Sequence, residues 1–393
     1  MLGIRYREHG GYDVLRPVEL PVPVPEHGQA LVRITYTTVS PLDDTVRAGR
    51  MAPSLHKPLP IIPGGAAVGV VVEPGASGLA EGTRVAIHGQ GRGMTTDGTW
   101  REYVAEYAEA LTPLPSSVSD RRMAALSAGA GHATAYLALT ELVGFRPGQS
   151  VLAPGIGGAV GMGAAQVAGQ LGASMVISTA GGTAKAERAR AAGFDHVIDL
   201  SREPLRDGVA RLTDGRGVDV VLDGVAGPLL RDAVGSLAHG GSYVAIGYAG
   251  GTRGTLDVTD LIWKHARAIG YMFDMFSPEV TRAARQTLID WLAEDRFDPV
   301  VAHVFPLAQA ARAQRHLMEG RPFGRVLLTT QDTAAGPFVR RASSHGPPST
   351  PSGNREAHRV GSTWPVHATV PVVAWTAERV RAEPWRSPCS DRC

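Results

Sequence analysis

Cysteine is almost absent from this chain. Its 393 residues include two, Cys389 and Cys393, both within the last five positions. Everything before Cys389 therefore lacks a disulfide, a thiolate zinc site and a cysteine nucleophile. Lysine is nearly as scarce: of 39 basic residues only Lys57, Lys185 and Lys264 are lysines. An excess of one charge is also missing, since 39 basic against 37 acidic residues leave a formal net charge of +2. That balance offers nothing to hold nucleic acid, and no basic amphipathic run suits a membrane surface. The longest apolar stretch, Ile61 to Val72, is interrupted by Pro63 and three glycines and is too short to span a bilayer. The first residues contain no apolar core of signal-peptide length, so a cytoplasmic location is expected.

What is present is an ordinary globular composition, 44% apolar and 19% charged, on a chain long enough for two cores. The first part, to about Ser119, alternates short β-type runs with Pro/Gly turns: Ala30–Tyr36, Val68–Glu73, Thr83–Ile87 and Tyr103–Ala105. It predicts a partly open β-barrel or twisted sheet. After Asp120 strands alternate with helices. Strands are expected at Ser150–Ala153, Ser174–Thr179, His196–Asp199, Val218–Asp223, Ser242–Gly247 and Ala268–Met272. Helices are expected at Ala159–Leu171, Thr183–Ala192, Pro204–Thr213, Pro228–Leu237 and Pro278–Glu294. These strands are apolar throughout rather than alternating, as a parallel, doubly wound sheet covered on both faces requires. From Gln331 a Pro/Ser/Gly-rich tail follows with eight arginines, five acids and three tryptophans (Trp364, Trp375, Trp385). Its composition predicts disorder.

The sharpest signal is Val151-Leu152-Ala153-Pro154-Gly155-Ile156-Gly157-Gly158-Ala159-Val160-Gly161, a glycine-rich turn between an apolar strand and a helix. Such a turn lets the backbone approach a pyrophosphate, which then sits on the free N–H groups at the helix start. Gly155, Gly158, Ala159, Val160 and Gly161 are the expected cofactor contacts. The end of the second strand normally carries an acid in an NAD site. Here Ser178-Thr179-Ala180-Gly181-Gly182-Thr183-Ala184-Lys185 brings no carboxylate before Glu187. Thr179 and Lys185 are expected to receive a 2′-phosphate instead, which points to NADPH.

With those residues in hand, the chain resembles the zinc-independent quinone oxidoreductase branch of the medium-chain dehydrogenase/reductase superfamily over about Met1 to Thr330. The resemblance is carried by Gly10-Gly11-x-x-Val14-Leu15, Ser40-Pro41-Leu42-Asp43 with Arg47 and Gly49, Ile62-Pro63-Gly64, and Gly98-Thr99-Trp100-x-Glu102-Tyr103. It continues through Thr134-Ala135-Tyr136, Pro147-Gly148-x-x-Val151-Leu152, Gly217-Val218-Asp219-Val220-Val221-Leu222-Asp223, Gly240-Gly241-x-x-Val244-x-Ile246-Gly247 and Phe323-Gly324-Arg325-Val326-Leu327. It implies an α/β fold: a GroES-like β-barrel catalytic domain (1–123, with a return over 269–330) and a Rossmann NADP-binding domain (124–268), with residues 331–393 as the disordered tail. It also implies Val225, Gly247 and Arg325 as cofactor contacts. A small-molecule acceptor (quinone, enone or enal) and a homodimer joined through the last Rossmann strand complete the expectation.

Zinc relatives of this superfamily place ligands in stretches that here read Ser40-Pro41, Gly64-Gly65-Ala66 and Ala128-Gly129-Ala130-Gly131, without a donor side chain for the metal. His88 and His132 lie nearby but without partners at ligand spacing, and each is expected to be packed or hydrogen-bonded. Without a Lewis acid, hydride delivery to a conjugated acceptor is favoured over alcohol oxidation. Ser40, Thr45 and Thr134 are expected to line the reacting region, with Asp43 and Arg47 as a structural pair beside it. Ser40, Thr45, Ala66, His132 and Leu200 depart from the family pattern, and those departures leave the acceptor and the proton donor open. Two alternatives stand beside the quinone/enone reductase: an enoyl-thioester reductase, and a non-catalytic NADPH-binding protein.

Overall fold

The computed structural model describes residues 1–51, 56–88, 91–127, 130–272 and 275–331. The expected disordered tail lies outside them from residue 332 onward. Among the described residues no helix is long and apolar enough to cross a membrane.

The first sheet gathers β3 (Gln29–Val39), β4 (Ala67–Glu73), β5 (Arg84–Ile87), β6 (Tyr103–Tyr107) and β7 (Leu111–Pro113). The short pair β1 (Leu2–Arg5) and β2 (Arg16–Glu19) stands beside it as an antiparallel hairpin. The second sheet holds β8 (Ser150–Ala153), β9 (Met175–Ala180), β10 (His196–Asp199), β11 (Val218–Asp223), β12 (Leu237–Ala245) and β13 (Arg267–Gly270). The chain then returns to the first sheet with β14 (Val301–Pro306) and β15 (Arg325–Thr329). Strand order in the first sheet is β14-β15-β3-β4-β5-β7, with β6 also paired to β3. In the second it is β10-β9-β8-β11-β12-β13, parallel throughout. This is the doubly wound order, with the crossover point beside β8.

The apolar runs of the parallel strands have the reason expected of them. Val151, Ala153, Val220, Leu222 and Val244 enter one buried cluster. The intervening Leu152, Val221 and Tyr243 enter another on the opposite face with Ile177 and Ile198. The first of these clusters also takes Val68, Ala86 and Leu327, so one core runs from the parallel sheet into the first sheet. Inside the first sheet Ala30, Val32, Ile34, Val71, Val85 and Val104 form a core of their own.

The last strand, expected over Ala268–Met272, is Arg267–Gly270, and an earlier helix–strand pair differs more. The helix predicted over Pro228–Leu237 occupies only Leu230–Gly235, and β12 starts at Leu237 rather than Ser242. The pairing of β12 with β11 jumps from Val218↔Leu237 to Val220↔Ser242. Gly240-Gly241 is thus a bulge inside the strand rather than the turn before it.

Helix Gly131–Leu137 packs closely on the nucleotide-loop helix Ala159–Gln170. A Cβ on Gly131 would lie 2.0 Å from the Ala159 carbonyl oxygen, whereas one on Gly169 would meet nothing within 4 Å. Gly131→Ala is expected to destabilise the protein by about 1–3 kcal/mol through overpacking. Gly169→Ala, in the same helix pair, is expected to be neutral or stabilising by up to about 1 kcal/mol. Urea unfolding of the two variants checks the contrast; equal effects would remove the close-packing explanation.

Candidate active site at the nucleotide loop

The loop after β8 is built by the backbone. Gly155 has φ +79°, a left-handed turn that a side chain would strain. Its N–H donates to Thr179 Oγ1 at 2.9 Å, and the Ile156 N–H donates to the Thr179 carbonyl at 2.9 Å. A Cβ on Gly161 would sit 2.3 Å from the Gly155 carbonyl oxygen, so loop and helix touch backbone to backbone. Gly158 caps helix Ala159–Gln170 without a side-chain hydrogen bond, and no acid lies in the first turn. The first N–H groups of that helix are therefore available to an anion.

The sequence-expected contacts group around this loop in different ways. Val225 packs on it: a Cβ on Gly155 would reach Val225 Cγ2 at 3.0 Å. Gly247 N–H donates to the Asp223 carbonyl at 3.1 Å, holding the ends of β11 and β12 together. Thr179 is buried, and its hydroxyl accepts from Gly155 rather than facing outward. Arg325 is also buried: its guanidinium donates to the Ala159 carbonyl at 3.0 Å and, through Nε, toward the Ala125 carbonyl at 3.4 Å. Burial pulls its pKa down to about 10. Among the described residues no carboxylate pairs with it, so its charge meets only carbonyl dipoles.

A second group of cations stands beside Gly157. A Cβ on Gly157 would lie 2.9 Å from the Pro322 carbonyl oxygen and 3.5 Å from Lys185 Cδ. The pKa of Lys185 is lowered, first by burial and then by the charges of Arg321 and Arg188. Arg188 lies 5.8 Å over the Phe323 ring. None of the three cations forms an ion pair among the described residues. Lys185 was legible in the sequence; Arg188 and Arg321 were not, because Arg321 arrives from the far end of the chain.

Ser40 caps helix Pro41–Arg47 and lines a cleft with Pro41, Gly157, Gly158, Ala159 and Arg325. Its partner is Asp43: the Ser40 N–H and hydroxyl donate to Asp43 Oδ2 at 2.7 and 2.8 Å, and the Gly64 N–H donates to Oδ1 at 3.1 Å. The expected Asp43–Arg47 pair is not formed. Arg47 pairs instead with Asp44 at 2.5 Å, while its Nε donates to Gln314 at 2.7 Å. The physical reason is the capping box, which turns Asp43 back toward Ser40. Thr45 donates to the Pro41 carbonyl at 3.1 Å within its own helix. Thr134 is buried on helix Gly131–Leu137. Neither Thr45 nor Thr134 lines the cleft that contains Ser40.

Two buried histidines lie near this region. His132 stacks on Phe297 with ring centroids 5.2 Å apart and shares a 2.8 Å hydrogen bond with Gln166 Oε1. His88 Nε2 is buried with no hydrogen-bond partner among the described residues. Burial lowers the pKa of each to about 3, which keeps both neutral. Among the described residues no three His, Cys, Asp or Glu side chains gather as a metal site. With Asp43 occupied by Ser40 and Gly64, and His132 by Gln166, the described side chains do not fit a zinc ion.

The Asp43 carboxyl is buried, and burial pushes its pKa up to about 6 against the pull of its Ser40 and Gly64 hydrogen bonds. The fold therefore favours its protonated form. The stability it contributes is present below about pH 3.8 and lost as pH rises through about 6. The wild-type advantage over Asp43→Asn is expected to shrink by about 3 kcal/mol across that window. Paired thermal melts from pH 4 to 7 check it, and a pH-independent difference contradicts the assignment.

Comparisons with known proteins bear on this geometry. The family described as an alcohol dehydrogenase GroES-like domain matches residues 26–116, and the zinc-binding dehydrogenase family matches residues 192–328. Quinone oxidoreductase-like protein 2 of Bos taurus is 31% identical over 276 residues, covering 69% of this chain and 77% of that protein. A mycocerosic acid synthase-like polyketide synthase of Mycolicibacterium smegmatis is 30% identical over 340 residues, covering 85% of this chain but 16% of that longer protein. Among solved structures, an NAD-dependent alcohol dehydrogenase aligns with a TM-score of 0.76 at 31% identity, covering 84% of this chain and 100% of that one. The Escherichia coli quinone oxidoreductase in complex with NADPH aligns with a TM-score of 0.73 at 25% identity, with the same coverage of 84% and 100%. Two matching family domains, a doubly wound sheet returning to a GroES-like sheet, and these relatives place the chain in the quinone oxidoreductase branch of the medium-chain dehydrogenase/reductase superfamily.

Proposed function

We propose that this protein is an NADPH-dependent reductase of quinones or α,β-unsaturated carbonyls that works without zinc. The observation that carries the reading is the cationic seat of Lys185, Arg188 and Arg321 beside Gly157, unneutralised by acids among the described residues. Three crowded cations repel one another unless an anion joins them, and a ribose 2′-phosphate carries the needed charge. Arg325 supplies a second such place at the helix start, where a pyrophosphate belongs.

When bound, NADPH supplies a hydride from nicotinamide C4. The chain's part is to hold and orient. Gly155, Gly158, Ala159, Val160 and Gly161 offer backbone to the pyrophosphate, while Val225 and Gly247 shape the wall at the ends of β11 and β12. Thr179 acts through Gly155, whose N–H it fixes. Ser40 faces the cleft from the start of helix Pro41–Arg47, while Thr45, whose hydroxyl donates to the Pro41 carbonyl, and Thr134, buried on its own helix, stand outside it. Holding acceptor and hydride donor in one dry geometry provides most of the rate. An acceptor whose charge spreads onto a carbonyl oxygen needs only hydrogen-bond donors, whereas an alkoxide needs a metal. We further propose a homodimer through the open edge of β13, which is flanked by exposed Val258, Ile262, Trp263 and Met272.

Steady-state oxidation of NADPH and NADH with 1,4-benzoquinone, 2-cyclohexen-1-one, cinnamaldehyde and a crotonyl thioester tests the reading. NADPH is expected to be strongly preferred. The Lys185→Ala/Arg321→Ala double variant is expected to raise KM for NADPH roughly 10–100-fold, as loss of charge-assisted contacts implies, with kcat and NADH kinetics little changed. Equal use of the two cofactors by the wild type contradicts the 2′-phosphate seat. Turnover confined to the thioester moves the substrate to the enoyl class.

A further inference from the structure

The parallel sheet ends at a second polar group that the nucleotide loop does not use. Tyr271 follows β13 directly, and its N–H donates to the Ala245 carbonyl at 2.9 Å. It therefore stands at the carboxyl end of the strands, where doubly wound sheets receive ligands. Its ring packs 5.8 Å from Phe276 and joins the core shared by both sheets. Its hydroxyl is buried and makes no hydrogen bond of normal geometry among the described residues. His88, leaving β5 of the first sheet, presents a second buried polar atom, Nε2, unpartnered among the described residues. Arg285, on helix Pro278–Ala293, acts electrostatically on both residues, and Thr134 faces the Tyr271 hydroxyl.

A buried polar atom without a partner costs stability, and a ligand oxygen that met the Tyr271 hydroxyl would remove that cost. We propose that Tyr271 is a catalytic residue whose hydroxyl receives the oxygen of the acceptor, with Arg285 as the positioning charge behind it and His88 closing the same pocket from the first sheet. The inference rests on the reductase reading given above. A C–H bond forms at the β-carbon as hydride arrives, and the conjugated electron pair moves onto oxygen. Tyr271 passes its proton to that oxygen, breaking its own O–H bond, and solvent water returns a proton to the phenolate. Burial holds the Tyr271 pKa up, at about 12, while Thr134 and Arg285 draw it down. The hydroxyl therefore stays protonated until an enolate forms beside it. This supplies the donor that the sequence left open, since Tyr271 sits in no motif and meets Thr134 only in the fold.

The test uses Tyr271→Phe in the full-length protein, which removes only the hydroxyl. Its melting temperature and its NADPH-induced thermal shift are expected to match wild type or exceed it. Its kcat with 2-cyclohexen-1-one is expected to fall about 100-fold, the scale of losing one oxyanion donor. Arg285→Lys is expected to retain more activity than Arg285→Met. A second readout does not depend on turnover: 4-nitrophenolate, a stable oxyanion, is titrated against the NADP⁺-loaded protein by absorbance. Wild type is expected to bind it at least 10-fold more tightly than Tyr271→Phe. Wild-type kcat in the Phe variant, or equal 4-nitrophenolate binding, overturns the role of Tyr271. A wild type that turns over no acceptor, yet binds the phenolate through Tyr271, defeats the reductase reading and leaves the oxyanion pocket standing.

Discussion

The Ala159 carbonyl is the point on which the arrangement turns. It closes the first turn of the nucleotide helix, lies where a Cβ on Gly131 would sit, and accepts from the buried Arg325 guanidinium. Helix Gly131–Leu137, strand β15 of the first sheet and the phosphate loop thus share one atom. A backbone contact of this kind tolerates little displacement, because protein interiors pack at crystal-like density. It fixes the nucleotide loop relative to the sheet that carries Ser40. The common core containing Val68, Leu327 and Val151 does the same work over a larger area.

Charge is used sparingly around this frame. The body of the chain is nearly neutral, yet Lys185, Arg188, Arg321 and Arg325 form no ion pair among the described residues. Arg325, and the group of Lys185, Arg188 and Arg321, are positions where an anion relieves an existing cost. Several other arginines are paired, as with Arg47–Asp44 and Arg216–Asp219. Two acids at the ends of β10 and β11 are held by hydroxyl and backbone donors instead. Asp223 accepts from the Val225 and Ala226 N–H groups at 2.7 and 2.9 Å and from the Tyr243 hydroxyl at 2.9 Å. Asp199 accepts from Thr183 at 2.6 Å and so anchors the helix that carries Lys185.

Much of the fold was legible because its signals are local. Apolar runs with both faces buried marked β8 to β11, and Gly155 to Gly161 marked the turn between β8 and its helix. The boundaries went astray where one residue type serves two purposes. Gly240-Gly241 resembles a turn and is a bulge, and Asp43 resembles an ion-pair partner and is a cap. The site was legible only where its residues are near in sequence. Lys185 follows the second strand and can be found by position, but Arg321 is 136 residues further on, by subtraction of the two numbers. Tyr271, His88 and Arg285 carry no motif at all. Tyr271 and His88 gain their meaning from polar atoms buried without a hydrogen bond among the described residues, which is a property of packing.

The account holds that hydride passes from NADPH to a conjugated carbon with no metal taking part. NADPH deuterated at the transferring face of nicotinamide C4, incubated with 2-cyclohexen-1-one and protein dialysed against a chelator, tests this most directly by NMR of the product. The prediction is deuterium at the β-carbon of cyclohexanone, formed at an undiminished rate. Reduction that appears only after zinc is restored, or deuterium at the carbonyl carbon to give the allylic alcohol, contradicts it.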